Sequence, residues 1–134
     1  MTVKFSDPQT MPRRVGYSQV AEVTKGKLVL IAGQVPHDTN DKLVGAGDFA
    51  AQVEQVFKNV DAAVRAAGGT MKNLVKINNY VVASVTPEQI PAFRDVRDRY
   101  VNTAAPPVST LIYVTRLAQP GWLFEMDAIA VIDG

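Results

Sequence analysis

The segment that most restricts the fold lies between residues 48 and 69. Phe49, Val53, Val56, Phe57, Val60, Val64 and Ala67 recur at helical spacing and share one face. Asp48 stands where an N-cap would accept a backbone amide, and Gly68-Gly69 where a helix would end. So broad an apolar stripe needs a surface to lie on, and the flanking sequence supplies strands. Leu74 to Val82 is rich in β-branched residues. Leu123 to Ile132 alternates: Phe124, Met126, Ala128, Ala130 and Ile132 form an apolar row suited to packing under helices. The opposite row, Leu123, Glu125, Asp127, Ile129 and Val131, mixes aliphatics with two carboxylates.

The rest of the chain extends this pattern. Residues 1–14 read as irregular, since Pro8 and Pro12 limit regular structure. Ser18 to Thr24 is a strand, Lys25-Gly26-Lys27 a turn, and Leu28 to Ala32 a continuous apolar strand that predicts cover on both faces. It ends at Gly33-Gln34-Val35-Pro36, and His37 to Gly47 reads as a loop. Thr86-Pro87-Glu88-Gln89 resembles a capping box, but Pro91 would lack an amide hydrogen bond deep in a helix. The segment therefore divides into a lead-in turn, Thr86 to Ile90, and a helix from Pro91 to about Asn102. Val108 to Leu117 and Leu123 to Ile132 are the last strands, joined through Ala118-Gln119-Pro120-Gly121 by a hairpin or short loop.

The order β-β-α-β-α-β-β predicts one α+β domain over residues 1–134, a single sheet with both helices on one face. In the strand from Val108, one row holds Thr110, Ile112 and Val114, and the other Ser109, Leu111, Tyr113 and Thr115. The aliphatic surface on the uncovered face predicts burial against other copies of the chain, with the carboxylates lining a cleft at the rim. The plainer alternative leaves Glu125 and Asp127 solvated on an ordinary exposed face.

The second helix carries Arg97 on its inner stripe, with Ile90, Phe93, Val96, Tyr100 and Val101. Spacing pairs Arg94 with Asp98 and Asp95 with Arg99, and leaves Arg97 with no acidic neighbour three or four residues away. Such an arginine is either reserved for Glu125, another subunit or an anionic ligand, or lays its stem on the core edge with its head in water.

Composition removes several function classes. The 134 residues contain no cysteine and one histidine, so disulfides, thiolate nucleophiles, cysteine-type zinc sites and multi-histidine metal sites are excluded within one chain. His37 would have to serve any Ser-His-Asp triad, and it stands in a loop with no nucleophile elbow. The net charge of +1 provides no strong field for nucleic acid or an anionic membrane. Gly45-Ala46-Gly47 lacks the remainder of a nucleotide fingerprint and reads as turn residues. The first residues lack a signal peptide's apolar run, and no apolar run approaches the ~20 residues needed to cross a bilayer, so a cytoplasmic protein is expected.

Four segments, in order and at matching spacing, resemble the RidA/YjgF family of reactive-intermediate deaminases across nearly the whole chain. They are Gly16-Tyr17-Ser18-Gln19, Ala32-Gly33-Gln34-Val35-Pro36, Ala66-Ala67-Gly68-Gly69 with Leu74-Val75-Lys76-Ile77, and Phe124-Glu125-Met126-Asp127-Ala128-Ile129-Ala130-Val131. The resemblance implies a chorismate-mutase-like fold and a homotrimer with a small-molecule ligand in each inter-subunit cleft. It also implies cofactor-free hydrolysis of imines or enamines. Glu125 matches the glutamate that places the attacking water, Tyr17 the tyrosine that closes the cleft, and the Gly33-Gln34 backbone the strand end that faces the ligand.

The family's arginine for the substrate carboxylate has no match. Its position falls on Ser109, or on Val108 if the register slips by one, and Arg116 has the wrong parity to replace it. A serine hydroxyl supplies neither the charge nor the bidentate fork of an arginine. Thr110 adds a hydroxyl and Leu111 stands where the family often has cysteine. Arg97 takes a helix position that is typically asparagine and becomes the candidate for the missing charge. The alternative function is a non-catalytic metabolite-binding or regulatory trimer. A ribonuclease, a label attached to parts of the family, fits poorly with near-neutral charge and a single histidine.

Overall fold

In the computed structural model, which describes residues 2–133, the Asp48 carboxylate accepts the Ala51 amide at 3.1 Å and opens α1, Phe49–Ala66. Phe49, Val53, Val56, Phe57, Val60 and Val64 are buried, as their spacing requires. The chain leaves the helix through Gly68, whose φ of 97° suits glycine. Lys27 caps that end by donating to the Ala67 carbonyl at 2.5 Å, where a cation also meets the helix dipole favourably.

Beneath α1 lies a four-stranded sheet of β3 (Lys27–Gln34), β4 (Leu74–Val82), β5 (Val108–Val114) and β6 (Phe124–Ile132), in the order β3-β6-β4-β5. β6 runs antiparallel to both neighbours, and β5 runs parallel to β4. The loop from Ala118 to Gly121 is therefore not a hairpin: it carries the chain over β4 so that β6 slots between β3 and β4. The reason lies in β6, whose apolar row places Phe124, Met126, Ala128 and Ala130 at the centre of the core. A strand so apolar on its covered face belongs in the middle, and the shorter, more polar β5 takes the edge.

α2, Ile90–Tyr100, packs beside α1 over the same face, preceded by a short 3-10 turn at Pro87–Gln89. Pro91 sits in its first turn, where the missing amide costs nothing, so the helix starts one residue before the expected position and ends two before it. Arg99 ties α2 to α1 through Glu54 at 2.8 Å. That pairing and an Arg97–Asp98 contact at 2.9 Å replace the two pairs expected from spacing, because Asp98 meets the adjacent Arg97 and Arg99 meets Glu54 of α1 instead of Asp95.

The N-terminal segment departs furthest from expectation. Val3–Ser6 forms β1, which pairs antiparallel with β2, Val20–Val23, in a separate two-stranded ribbon. The prolines interrupt only the connection between these strands. The expectation of one sheet and an irregular start is corrected by this pair.

Among the described residues the second face of the sheet is open over most of its length, although Val131 at one end is only 4% exposed. Leu28 and Leu30 are 63% and 72% exposed, against the cover expected for their strand. Their neighbours Val29 and Ile31 point the other way, into the core. No helix among the described residues is long and apolar enough to cross a membrane.

Candidate functional site

The two sides of the sheet hold two separate groups of polar side chains. On the bare side, β6 places Glu125 opposite Tyr80 and Asp127 opposite Asn78 of β4. Asp127 is satisfied: Asn78 Nδ2 donates to Oδ1 at 2.8 Å and the Tyr80 hydroxyl to Oδ2 at 2.7 Å. That bond holds the Tyr80 proton and pushes its pKa up. Glu125 has no hydrogen-bond or ion-pair partner among the described residues and is half-buried. Burial, and then the Asp127 charge, raise its pKa above the ordinary carboxylate range.

The bend in β3 makes room for this carboxylate. Ile31 pairs with Ala128 and Gln34 with Met126, so Ala32 and Gly33 together face Asp127 in a β-bulge. A Cβ at Gly33 would lie 2.0 Å from Glu125 Oε2, so the carboxylate occupies the place of a side chain there. Gln34 Nε2 donates back to the Ala32 carbonyl at 3.0 Å, within the bulge. The start of β6 is fixed by Gln52, fully buried on α1. Its amide donates to the Gly45 and Gly121 carbonyls at 3.1 and 2.9 Å and its oxygen accepts the Leu123 amide at 2.8 Å.

On the helix side, Tyr17, Arg97, Ser109 and Leu111 come together. With Val15, Ile90, Phe93 and Arg94 they line a hollow of about 270 Å³. Tyr17 is placed by its neighbour Ser18, whose amide and hydroxyl donate to the Pro107 and Pro106 carbonyls at 3.2 and 2.6 Å. A second hollow of about 300 Å³ lies alongside, lined by Tyr17, Ser109, Thr110 and Lys76 among others. Arg97 is only 7% exposed, lies over the Phe93 ring at 5.7 Å, and gives Nε to Asp98. No acidic residue stands three or four positions from Arg97, as expected, but the inference that its charge is therefore reserved is corrected in part, because the adjacent Asp98 takes its Nε.

Asn79 is the residue that sequence reasoning missed on this side. It is buried, and Nδ2 donates to Ser109 Oγ at 3.1 Å and to the Thr110 carbonyl at 2.9 Å. Its signal was present: two consecutive asparagines in a central strand rich in β-branched residues, one of which has to face the core. Glu125 lines neither hollow. The expected site residues thus form a cation-bearing group under α2 and a carboxylate group on the bare face.

Comparison with known proteins places this arrangement. A family model described as endoribonuclease L-PSP matches residues 9–132. Protein DfrA of Myxococcus xanthus is 32% identical over 121 residues, covering 90% of this chain and 88% of its own. A 2-iminobutanoate/2-iminopropanoate deaminase of Dermatophagoides farinae is 28% identical, covering 91% of each chain. The crystal structure of YyfB from Yersinia pestis, described as a Rid-family protein of unknown function, superposes with a TM-score of 0.90 at 34% identity, over 98% of this chain and 100% of that one. With the bulge at Gly33, the glutamate on β6 and two helices on one face of a mixed sheet, the chain belongs to the RidA/YjgF family, the family that the endoribonuclease L-PSP model describes.

Proposed function

We propose that this chain hydrolyses a small imine or enamine without a cofactor, at clefts formed between three copies. The observation that carries this is Glu125, a half-buried carboxylate with no partner among the described residues, held against the Gly33 bulge on the bare face. A carboxylate with a raised pKa in that setting suits proton transfer with water near neutral pH. The printed activity of the Dermatophagoides farinae relative supports the same chemistry.

In the proposed reaction Glu125 orients a water and takes its proton as oxygen bonds to the imine carbon. Glu125 passes that proton to the imine nitrogen, which has received the C=N electron pair, and a carbinolamine results. The carbinolamine hydroxyl then gives up its proton, relayed by Glu125 to the nitrogen, as the C–N bond breaks, so ammonia leaves, a carbonyl remains and one water is consumed for each ammonia released. Residues on opposite sides of the sheet meet in one cleft when the bare face of one copy approaches the hollow of the next. Leu28 and Leu30 supply the apolar surface for that contact. The cytoplasm is the expected compartment.

The test is ammonia release from freshly generated 2-iminobutanoate and 2-iminopropanoate. Turnover that Glu125→Ala abolishes supports the proposal, and no turnover above the spontaneous rate contradicts it for these substrates. A second function, a non-catalytic metabolite-binding or regulatory trimer, is favoured by one observation: Ser109 stands where the family's arginine would bind the substrate carboxylate. Under that function, Glu125→Ala leaves all measurable behaviour unchanged. RNA cleavage, suggested by the family's descriptive name, would show as binding that weakens steeply with salt.

A further inference from the structure

We propose that the hollow beneath α2 is a carboxylate subsite in which Arg97 and Ser109 together replace a strand-borne cation. The inference rests on the small-molecule function above and adds to it the class of ligand, a short organic monoanion.

The first observation is the state of Arg97. Its side chain is 8% exposed, yet only Nε has a partner, Asp98 Oδ1 at 2.9 Å. Among the described residues no acceptor meets Nη1 or Nη2. The guanidinium is not sealed in at its two terminal nitrogens, since among the described residues only Glu54 Oε2 and Asn79 Oδ1 are buried without a partner, and both nitrogens therefore remain open to a ligand. It is also held rigidly. The Phe93 ring supports one side at 5.7 Å. Gly16 passes so close that a Cβ there would lie 2.5 Å from Nη2, and its φ of 91° excludes a side chain on conformational grounds as well.

The second observation fixes the proton of Ser109. The Asn79 amide orientation is set by the Thr110 carbonyl, which only accepts, so the atom facing it at 2.9 Å is the NH2 group. The same nitrogen donates to Ser109 Oγ at 3.1 Å, which occupies a lone pair of that hydroxyl. The Ser109 proton is therefore free to point into the hollow that Ser109 and Arg97 both line. Arg97 with its two terminal nitrogens and Ser109 with its hydroxyl thus border one hollow, where among the described residues no carboxylate is found and Arg94 adds a second positive charge.

Size and chemistry narrow the ligand. About 270 Å³ is small for a binding pocket and fits a molecule of a few carbon atoms. Asn79 acts through Ser109, as a positioning residue. The loss of a strand arginine is in this way offset from the helix side, with Ser109 retained as a neutral donor.

The test is binding rather than turnover. The wild-type protein, labelled with 15N in its arginine side chains, is titrated with 2-oxobutanoate, the keto product of 2-iminobutanoate, and with 2-oxobutanamide as the neutral match. The Arg97 side-chain resonances are expected to shift with the acid alone. Arg97→Gln is expected to weaken 2-oxobutanoate binding about tenfold or more, as loss of a buried charge-assisted pair does. Arg94→Gln and Ser109→Ala are expected to change it about threefold or less and about threefold, respectively. Equal shifts with acid and amide, shifts at Arg94 without Arg97, or no binding of the acid would each overturn the subsite. If Arg97→Gln does not fold, the wild-type spectra decide alone. Arg97-dependent binding without ammonia release removes the deaminase proposal and keeps the subsite. Turnover with unchanged KM in Arg97→Gln removes the subsite and keeps the deaminase.

Discussion

The two faces of the four-stranded sheet are built from the same strands and have opposite fates. Under the helices, Phe124, Met126, Ala128 and Ala130 alternate with Ile77 and Val81 in a core that excludes water. On the other side the same strands present Glu125, Asp127, Tyr80 and Asn78 beside Leu28 and Leu30, and no helix among the described residues covers them. The first face accounts for the stability of the single chain. The second combines apolar surface with a carboxylate whose environment departs from that of water, the two features on which the proposed inter-copy cleft rests. A strand with period two serves both purposes because each residue belongs wholly to one face.

The comparison breaks most visibly if a core residue can be removed cheaply. Phe124→Ala is expected to lower unfolding free energy by about 3–5 kcal/mol in urea denaturation, from lost burial and the cavity left among Phe49 and Phe93. Leu30→Ala, on the bare face, is expected to cost under about 0.5 kcal/mol to the isolated chain. A cost comparable with that of Phe124 in protein too dilute to associate would show that the bare face stabilises the fold itself. At higher concentration Leu30→Lys is expected to lower the assembled fraction in sedimentation velocity, because a charge would be buried at the contact.

A subtler change sharpens the role of the carboxylate. Gly33→Ala leaves Glu125 in place chemically but pushes its Oε2 out of the space it occupies. Turnover is expected to fall about tenfold to a hundredfold, with little change in thermal stability, since a small displacement of a catalytic group costs rate more than fold. Unchanged turnover would mean that the observed carboxylate position is irrelevant to catalysis.

The smallest effect is in pH dependence. Glu125 has its folded pKa raised by burial and by Asp127, so its neutral form is favoured in the folded state. Its contribution to stability is therefore complete below the ordinary carboxylate range and is lost as pH rises through the raised value. Glu125→Gln is expected to be slightly more stable than wild type near neutral pH and indistinguishable from it in acid, by thermal unfolding. The acidic limb of the wild-type rate profile is expected to lie above the ordinary range, since the proposed base is deprotonated Glu125.

Much of this architecture was legible in the sequence for local reasons. The α1 stripe, its Asp48 cap and the β6 alternation are patterns that a few neighbouring residues determine. The β1–β2 ribbon was missed because its partners are short and lie on either side of a proline-bearing loop, so neither shows a strong pattern alone. The insertion of β6 between β3 and β4 was missed because strand order depends on which strands compete for the centre of the sheet, a comparison that local spacing does not make. For the proposed site, family resemblance pointed to Tyr17, Gly33 and Glu125, while Arg97 stood out by its lack of a carboxylate at helical spacing. Its actual partner, Asp98, is adjacent, a contact that face-based pairing rules overlook. Gln52 was hidden because a buried amide on a helix declares itself only when the carbonyls it satisfies are brought near from distant segments, whereas Asn79 had a signal in its strand that spacing alone did not single out.

The most direct test of whether the two faces meet across copies is a mixing experiment with two variants that each lack one half of the proposed cleft, Glu125→Ala and Arg97→Gln. The substrate concentration is held well below KM, so that Arg97→Gln alone retains about a tenth of wild-type activity or less. Equal amounts are unfolded together, refolded, and assayed for ammonia release from 2-iminobutanoate. If each cleft takes Arg97 from one copy and Glu125 from the next around a closed ring, about a quarter of the clefts regain both residues, and activity returns to about a quarter of the wild-type value. No recovery in the mixed protein, with both variants folded and assembled, would contradict a site shared between copies.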